Sequence, residues 1–226
     1  MNINELFKKA STAKASDLHI IVGKPPIIRV DGELKVLPNL TNVTRDAAEK
    51  MVFSILTERQ KNTFIEDREL DISYEIAQLS RYRVNLHWEK DNIGLVARVI
   101  SNDVPSIDTL GLPPIANELI TRLSGLLLVT GPTGCGKSTT LAAMVEKINS
   151  MRFANIITLE DPIEYIHKPD KSIIKQRQLG SDMLTFQDAL KHVLRQDPNV
   201  IMVGEMRDLE TMAATITLAE TGHLVL

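Results

Sequence analysis

The spacing of apolar positions changes character near residue 100. Before it, Ile3, Leu6, Phe7 and Ala10 recur at helical spacing, while residues 17–22, Ile27–Val30 and 33–37 read as strands. The last two flank Asp31-Gly32, a pair that adopts positive φ cheaply, which predicts a hairpin. Val43, Ala47, Met51 and Ile55 predict a second helix, and Thr57-Glu58-Arg59-Gln60 reads as a capping box opening a third. Strands are expected at Glu69–Ile76, 81–88 and 93–100, so this part reads as α+β with a mainly antiparallel sheet. Residues 101–114, with Pro105, Gly111, Pro113 and Pro114, have linker chemistry.

Beyond the linker, strands and helices alternate. Residues 126–130, Asn155–Glu160 and Val200–Val203 are short continuous apolar runs, as expected where both faces of a sheet are covered. Helices are expected at 138–149, 185–196 and 208–220, with Thr185 and Asp208 as N-caps. This is the pattern of a parallel α/β sheet. His223-Leu224-Val225-Leu226 starts one more apolar strand, and a core strand needs neighbours, so the α/β core is expected to be truncated at this point.

Composition narrows the choices only slightly. With 226 residues, 43% hydrophobic and 24% charged, the chain is neither disordered nor low in complexity. A net charge of 26 − 29 = −3 argues against a broadly basic nucleic-acid or membrane-surface binder. The single cysteine, Cys135, cannot form an internal disulfide or a cysteine-rich zinc site, so a cytoplasmic setting is expected. No apolar run is long enough to cross a bilayer, and residues 1–9 do not read as a signal peptide.

Gly131-Pro132-Thr133-Gly134-Cys135-Gly136-Lys137-Ser138 fits G-x-x-x-x-G-K-[ST] between an apolar strand and a helical pattern. Glycines there let successive N–H groups point at phosphate oxygens, and the helix N-terminus adds positive potential. Lys137 supplies a charge to the β/γ-phosphates and the Ser138 hydroxyl a ligand to Mg²⁺. Residues 131–138, with Thr139 behind them, are therefore the expected nucleotide-binding stretch for ATP. Cys135 is read as a small residue that fits the loop.

Two acidic segments follow apolar strands, where open α/β sheets bind ligands. In the first, Glu160, Asp161 and Glu164 surround Pro162; Glu160 by itself reads as part of a solvated acidic turn. In the second, Val200–Val203 leads into Gly204-Glu205, with glycine where a metal-linked aspartate usually stands. Glu205 is then expected to serve Mg²⁺ through water or to polarise the nucleophile, leaving Glu164 as general base. His223 is either a cation at a helix end or a phosphate sensor. In the first part, Arg81 and Arg83 share one strand face, and a hairpin loop at 89–92 would set Arg83 opposite Arg98. Like charges so paired repel, and a bound anion would offset that cost; three solvated arginines are the plainer alternative.

Together these motifs resemble the secretion ATPase superfamily of type II secretion, type IV pilus and conjugation motors. The matching pieces are 131–138 as Walker A, 157–167 as the Asp box, 201–208 as an atypical Walker B and 219–226 as the opening of the His box. Ser16-Asp17-Leu18-His19-Ile20 near the start, Ser80-Arg81-Tyr82-Arg83-Val84-Asn85 and Ala97-Arg98-Val99-Ile100 are most similar to the pilus-retraction (twitching motility) branch. The resemblance implies a PAS-like domain at 1–100, a RecA-like ATPase core from 115 onwards and a homohexameric ring. It also implies Glu164 as base, Glu205 in the Walker B role, His223 as nucleotide sensor, and Arg81, Arg83 and Arg98 on the phosphate. An inner-membrane platform protein would be the partner, placing the protein at the cytoplasmic side of that membrane. Pilus extension or type II secretion is the alternative within the superfamily; a DNA-translocating motor, a small-molecule kinase and a non-catalytic interaction module are alternatives outside it. A guanine-specific GTPase is disfavoured, because His167-Lys168-Pro169-Asp170 lacks the Asn that usually precedes the Lys.

Overall fold

The computed structural model describes residues 2–76, 79–100 and 103–226. The chain divides into two compact units, one ending at Ile100 and one running to Leu226. The first contains α1 (Ile3–Thr12), β1 (Asp17–Ile20), β2 (Ile27–Val30), β3 (Glu33–Val36), α2 (Arg45–Phe53), α3 (Glu58–Asp67), β4 (Glu69–Ile76), β5 (Ser80–Glu89) and β6 (Asn92–Ile100). The strands form one antiparallel sheet in the order β3-β2-β1-β6-β5-β4. Two tight turns set its register. Asp31 and Gly32 join β2 to β3 with φ of 51° and 84°, and Lys90 and Asp91 join β5 to β6 with φ of 49° and 60°. Two positive φ values in succession match the right-handed twist of the flanking strands.

The Thr57 hydroxyl and the Gln60 side chain satisfy each other's backbone N–H groups and so start α3 as a capping box. Leu18, Ile20, Ile72, Val84, Leu86, Leu95 and Ala97 supply the sheet side of one core. Ile3, Leu6 and Phe7 of α1, Met51 and Val52 of α2 and Phe64 of α3 supply the helical side. Because side chains alternate across a strand, the other sheet face carries the intervening residues, including Asp17, Arg83 and Arg98.

The second unit contains α4 (Ile115–Leu119), β7 (Gly125–Leu126), α5 (Lys137–Met151), β8 (Asn155–Glu160), β9 (Ile173–Gln178), α6 (Phe186–Val193), β10 (Val200–Val203), α7 (Leu209–Glu220) and β11 (Leu224–Val225). Its sheet is parallel throughout, in the order β7-β11-β10-β8-β9. Ile156, Val200, Met202 and Leu224 pack with Leu141, Met144, Val145 and Ile148 of α5 on one face. Ile157, Leu159, Ile201, Val203 and Val225 pack with Leu190 and Val193 of α6 and Leu218 of α7 on the other. Both faces are thus buried, which accounts for the unbroken apolar runs.

Three features depart from the sequence pattern. The ladder of β7 is shorter than 126–130: the strand covers Gly125–Leu126 in register with Leu224 and Val225, flanked by hydrogen bonds from Gly125 N–H to His223 O and from Leu127 N–H to Val225 O. The 101–114 segment is not solvated throughout, since Ile107 is buried and Leu110 and Leu112 pack against the same core. Strand β9 has no apolar signature: after Ile173 and Ile174 come Lys175, Gln176, Arg177 and Gln178, an edge strand whose glutamines serve the site instead of the core.

Candidate active site

All strands of the second sheet run the same way, so the segments following β7, β8 and β10 emerge at one edge. Those segments are the phosphate loop, the turn containing Glu160 to Glu164, and Gly204-Glu205. Gly134 and Gly136 have φ of 80° and 96°, a region that glycine enters without steric cost. Gly136 is also the N-cap of α5, so the free N–H groups of the first helical turn face the loop. The Lys137 ammonium donates to the Gly131 and Pro132 carbonyls, each at 2.9 Å, and so lies across the loop. A cleft of about 320 Å³ is lined by Gly131, Lys137, Ser138, Gly204, Glu205 and Thr215, among others. Backbone amides, a cation, a hydroxyl and a carboxylate therefore converge on one space.

Gly204 explains the unusual acid segment. Its N–H donates to the Leu159 carbonyl at 2.8 Å. A Cβ at this position would lie 3.2 Å from that carbonyl oxygen and 3.4 Å from the Glu160 Cα. The close approach of β8 and β10 thus leaves no comfortable room for an aspartate side chain. Glu205, the next residue, carries the carboxylate and pairs with Arg207 at 2.7 Å.

The Glu160 expectation is corrected by the fold: its side chain is not solvated but only 7% exposed. The Thr158 hydroxyl and the Gln176 amide both donate to its Oε1, and the Glu164 backbone N–H also points to the carboxyl. Burial dominates these bonds and raises its pKa. Gln176 additionally donates to Tyr165 O at 2.8 Å and accepts from the His167 N–H at 2.9 Å. The Tyr165 hydroxyl lies 3.0 Å from the Thr139 hydroxyl on α5, and His167 Nδ1 donates to Glu146 Oε2 on the same helix at 2.8 Å. Glu164 itself is exposed. Sequence reasoning missed Thr158, Tyr165 and Gln176: the first and last leave a trace only as polar residues within β8 and β9, and Tyr165, in the turn between them, leaves none.

His223 lies apart from these groups. It precedes β11, so the parallel direction sets it at the amino edge of the sheet, level with Gly125 and away from the phosphate loop. Its Nδ1 donates to Leu218 O at 3.1 Å, which closes the end of α7. Within this chain the helix-end role is the one the geometry supports.

In the first unit, Arg83 pairs in register with Arg98, as the hairpin arithmetic requires. The row continues from Arg98 to Asp17 and from Asp17 to Arg29. The charge of Arg98 is met internally: its Nε donates to Asp17 Oδ1 at 2.8 Å, and Asp17 is buried. Burial pushes the Asp17 carboxyl up, but the hydrogen bonds from Arg98 and Ser16, together with the Arg98 charge, bring it below its ordinary value. Arg81 donates to the Ser73 hydroxyl at 3.3 Å, while Arg83 is exposed.

The family model described as type II/IV secretion system protein matches residues 1–226, the whole chain. The chain belongs to that family. Among its relatives, the type IV pilus retractation ATPase PilT of Pseudomonas aeruginosa is 42% identical over 225 residues, which cover 100% of this chain and 65% of that protein. A twitching motility protein of Neisseria gonorrhoeae is 44% identical over 200 residues, covering 88% of this chain and 53% of the relative. The secretion-family chain therefore spans less than two thirds of these relatives. The fold matches the crystal structure of the pilus retraction motor PilT with bound ADP, with a TM-score of 0.94 and 43% identity over 100% of this chain and 66% of that one. The ATPase DotB of Legionella pneumophila matches with a TM-score of 0.87 and 28% identity, over 100% of this chain and 65% of that one. Among the described residues, no helix is long and apolar enough to cross a membrane.

Proposed function

We propose that this chain is the nucleotide-hydrolysing part of a motor that retracts type IV pili. The observation that carries the reading is the convergence of Lys137, Ser138 and Glu205 on one cleft, in a chain 42% identical along its whole length to a retraction ATPase. Residues 131–139 would hold the phosphates of ATP, with the Lys137 ammonium leaving the loop carbonyls for the β/γ-phosphates. The oxygen donors of Ser138 and Glu205 suit Mg²⁺, Ser138 directly and Glu205 through water. When bound, that ion would supply neutralisation of phosphate charge. Glu164, exposed on the neighbouring turn, is the candidate base that orients water. Arg81, Arg83 and Arg98 are candidates for stabilising the charge of the transferred phosphoryl group.

In this reading residues 1–100 form a PAS-like domain, 101–114 a linker, and 115–226 part of a RecA-like core. Six copies would form a ring in the cytoplasm, working against an inner-membrane platform of the pilus machine. ATP hydrolysis by the full-length protein tests the chemistry. Lys137→Ala is expected to abolish nucleotide binding, and Glu164→Gln to lower kcat by roughly 10²–10⁴ while binding persists. A monomer that hydrolyses ATP normally after both Glu164→Gln and Glu205→Gln would overturn the motor reading. Deleting the gene separates retraction from extension: loss of disassembly leaves excess pili on non-motile cells, whereas loss of assembly leaves none.

A further inference from the structure

Glu160 lies one residue from Asp161 and four from Glu164, yet it is not arranged like a reacting group. Its side chain is closed off from solvent, beside Thr158 at 0% exposure, and its Oε1 already accepts from both Thr158 and Gln176. Those bonds form one lattice with the turn that bears Glu164. Gln176 ties the Glu160 carboxyl to the carbonyl of Tyr165 and to the N–H of His167, and the Glu164 N–H faces the same carboxyl. The far end of the turn is fastened to α5 by Tyr165 on Thr139 and His167 on Glu146. Asn149 on α5 also donates to Lys168 O at 2.8 Å and accepts from the Asp170 N–H at 3.0 Å. Segment 160–170 is thus pinned to the edge strand on one side and to the phosphate-loop helix on the other.

We infer that Glu160 is a positioning residue: its buried carboxyl is the anchor that fixes the backbone of Glu164 relative to the phosphate loop, without itself touching substrate or metal. This rests on the ATPase reading above. A shift of about 1 Å in a catalytic group is enough to cost roughly 10²-fold in rate, so the anchor matters even though it stands behind the reacting atoms. The burial that raises its pKa also makes the neutral amide of glutamine a close substitute, because glutamine retains an acceptor for Thr158 and Gln176.

The test compares Glu160→Ala with Glu160→Gln in the full-length protein, by steady-state ATP hydrolysis and by hydrogen exchange of the 161–167 amides. Glu160→Ala is expected to lower kcat at least about tenfold, with KM for ATP within about threefold, and to speed exchange at Glu164 and Tyr165. Glu160→Gln is expected to restore kcat to within about threefold of wild type. If glutamine is as slow as alanine, Glu160 is a catalytic residue and the inference fails. If alanine has both wild-type kcat and wild-type exchange, the anchor does not exist. Should Glu160→Ala not fold, Gln176→Leu breaks the same lattice from β9, and the same two readings decide. A wild-type protein without ATPase activity would overturn the function proposed above, while the exchange experiment would still decide on the anchor.

Discussion

At the scale of single residues, the most informative charge outside the candidate site is Asp17. Arg98 donates to one carboxylate oxygen at 2.8 Å, and Arg29 lies 3.8 Å from the other. The net effect is a folded-state pKa below that of the unfolded chain. A carboxyl depressed in this way adds stability above its unfolded pKa of about 3.9, and that stability is lost as pH falls through the lower folded value. Arg98→Ala should therefore destabilise the first unit at pH 7 by about 1–2 kcal/mol, a figure reduced because the guanidinium is largely exposed. Denaturant unfolding at pH 7 and at pH 3 measures this. The difference between variant and wild type should shrink at the acid end, and an equal difference at both pH values would refute the assignment.

At the scale of elements, much of the fold is legible because several devices act locally. The Thr57 capping box, the Thr185 and Asp208 N-caps and the Asp31-Gly32 turn all occur where the residue pattern puts them. Strand β9 was not legible. Its Gln176 points to Glu160 and its Gln178 side chain accepts from the Ile163 N–H, so its polar residues satisfy buried donors and acceptors that only the folded sheet creates. The same holds for Glu160, whose burial depends on a neighbour that is sixteen residues away along the chain. Nor could periodicity place His223: the direction of the sheet, not the residue, sets it at the amino edge. The strand contact at Gly204 yields a prediction of its own. Gly204→Ala pushes a methyl group against the Leu159 carbonyl and the Glu160 backbone, and neither is a flexible side chain that can swing away. A loss of about 1–3 kcal/mol is expected, together with reduced ATP turnover, because the same backbone bears Glu205. Thermal unfolding and ATPase activity check both parts; wild-type stability would mean that the strands separate more easily than the geometry implies.

At the scale of the whole molecule, each unit has its own core. Ile3 through Ala97 form one buried cluster, and those from Ile107 onwards form the two that cover the parallel sheet. The phosphate loop depends on the second unit, whereas the arginine row depends on the first. Binding and turnover should therefore be separable by mutation. Arg83 is the cleanest probe, since it is exposed and Arg98, unlike Arg83, also holds the buried Asp17. Arg83→Ala should leave nucleotide affinity within about threefold of wild type, because no loop amide, lysine or hydroxyl of the second unit is disturbed. If the guanidinium meets the transferring phosphoryl group, kcat should fall by at least roughly 10²-fold. Arg83→Lys should recover little of that loss, because a lysine keeps the charge but not the planar fork that grips two phosphate oxygens. Fluorescent-nucleotide titration and steady-state hydrolysis in the full-length protein give the two numbers side by side. Wild-type turnover in Arg83→Ala would reduce the arginine row to a solvated face held together by Asp17. A parallel loss of affinity and turnover would mean that the first unit takes part in binding itself.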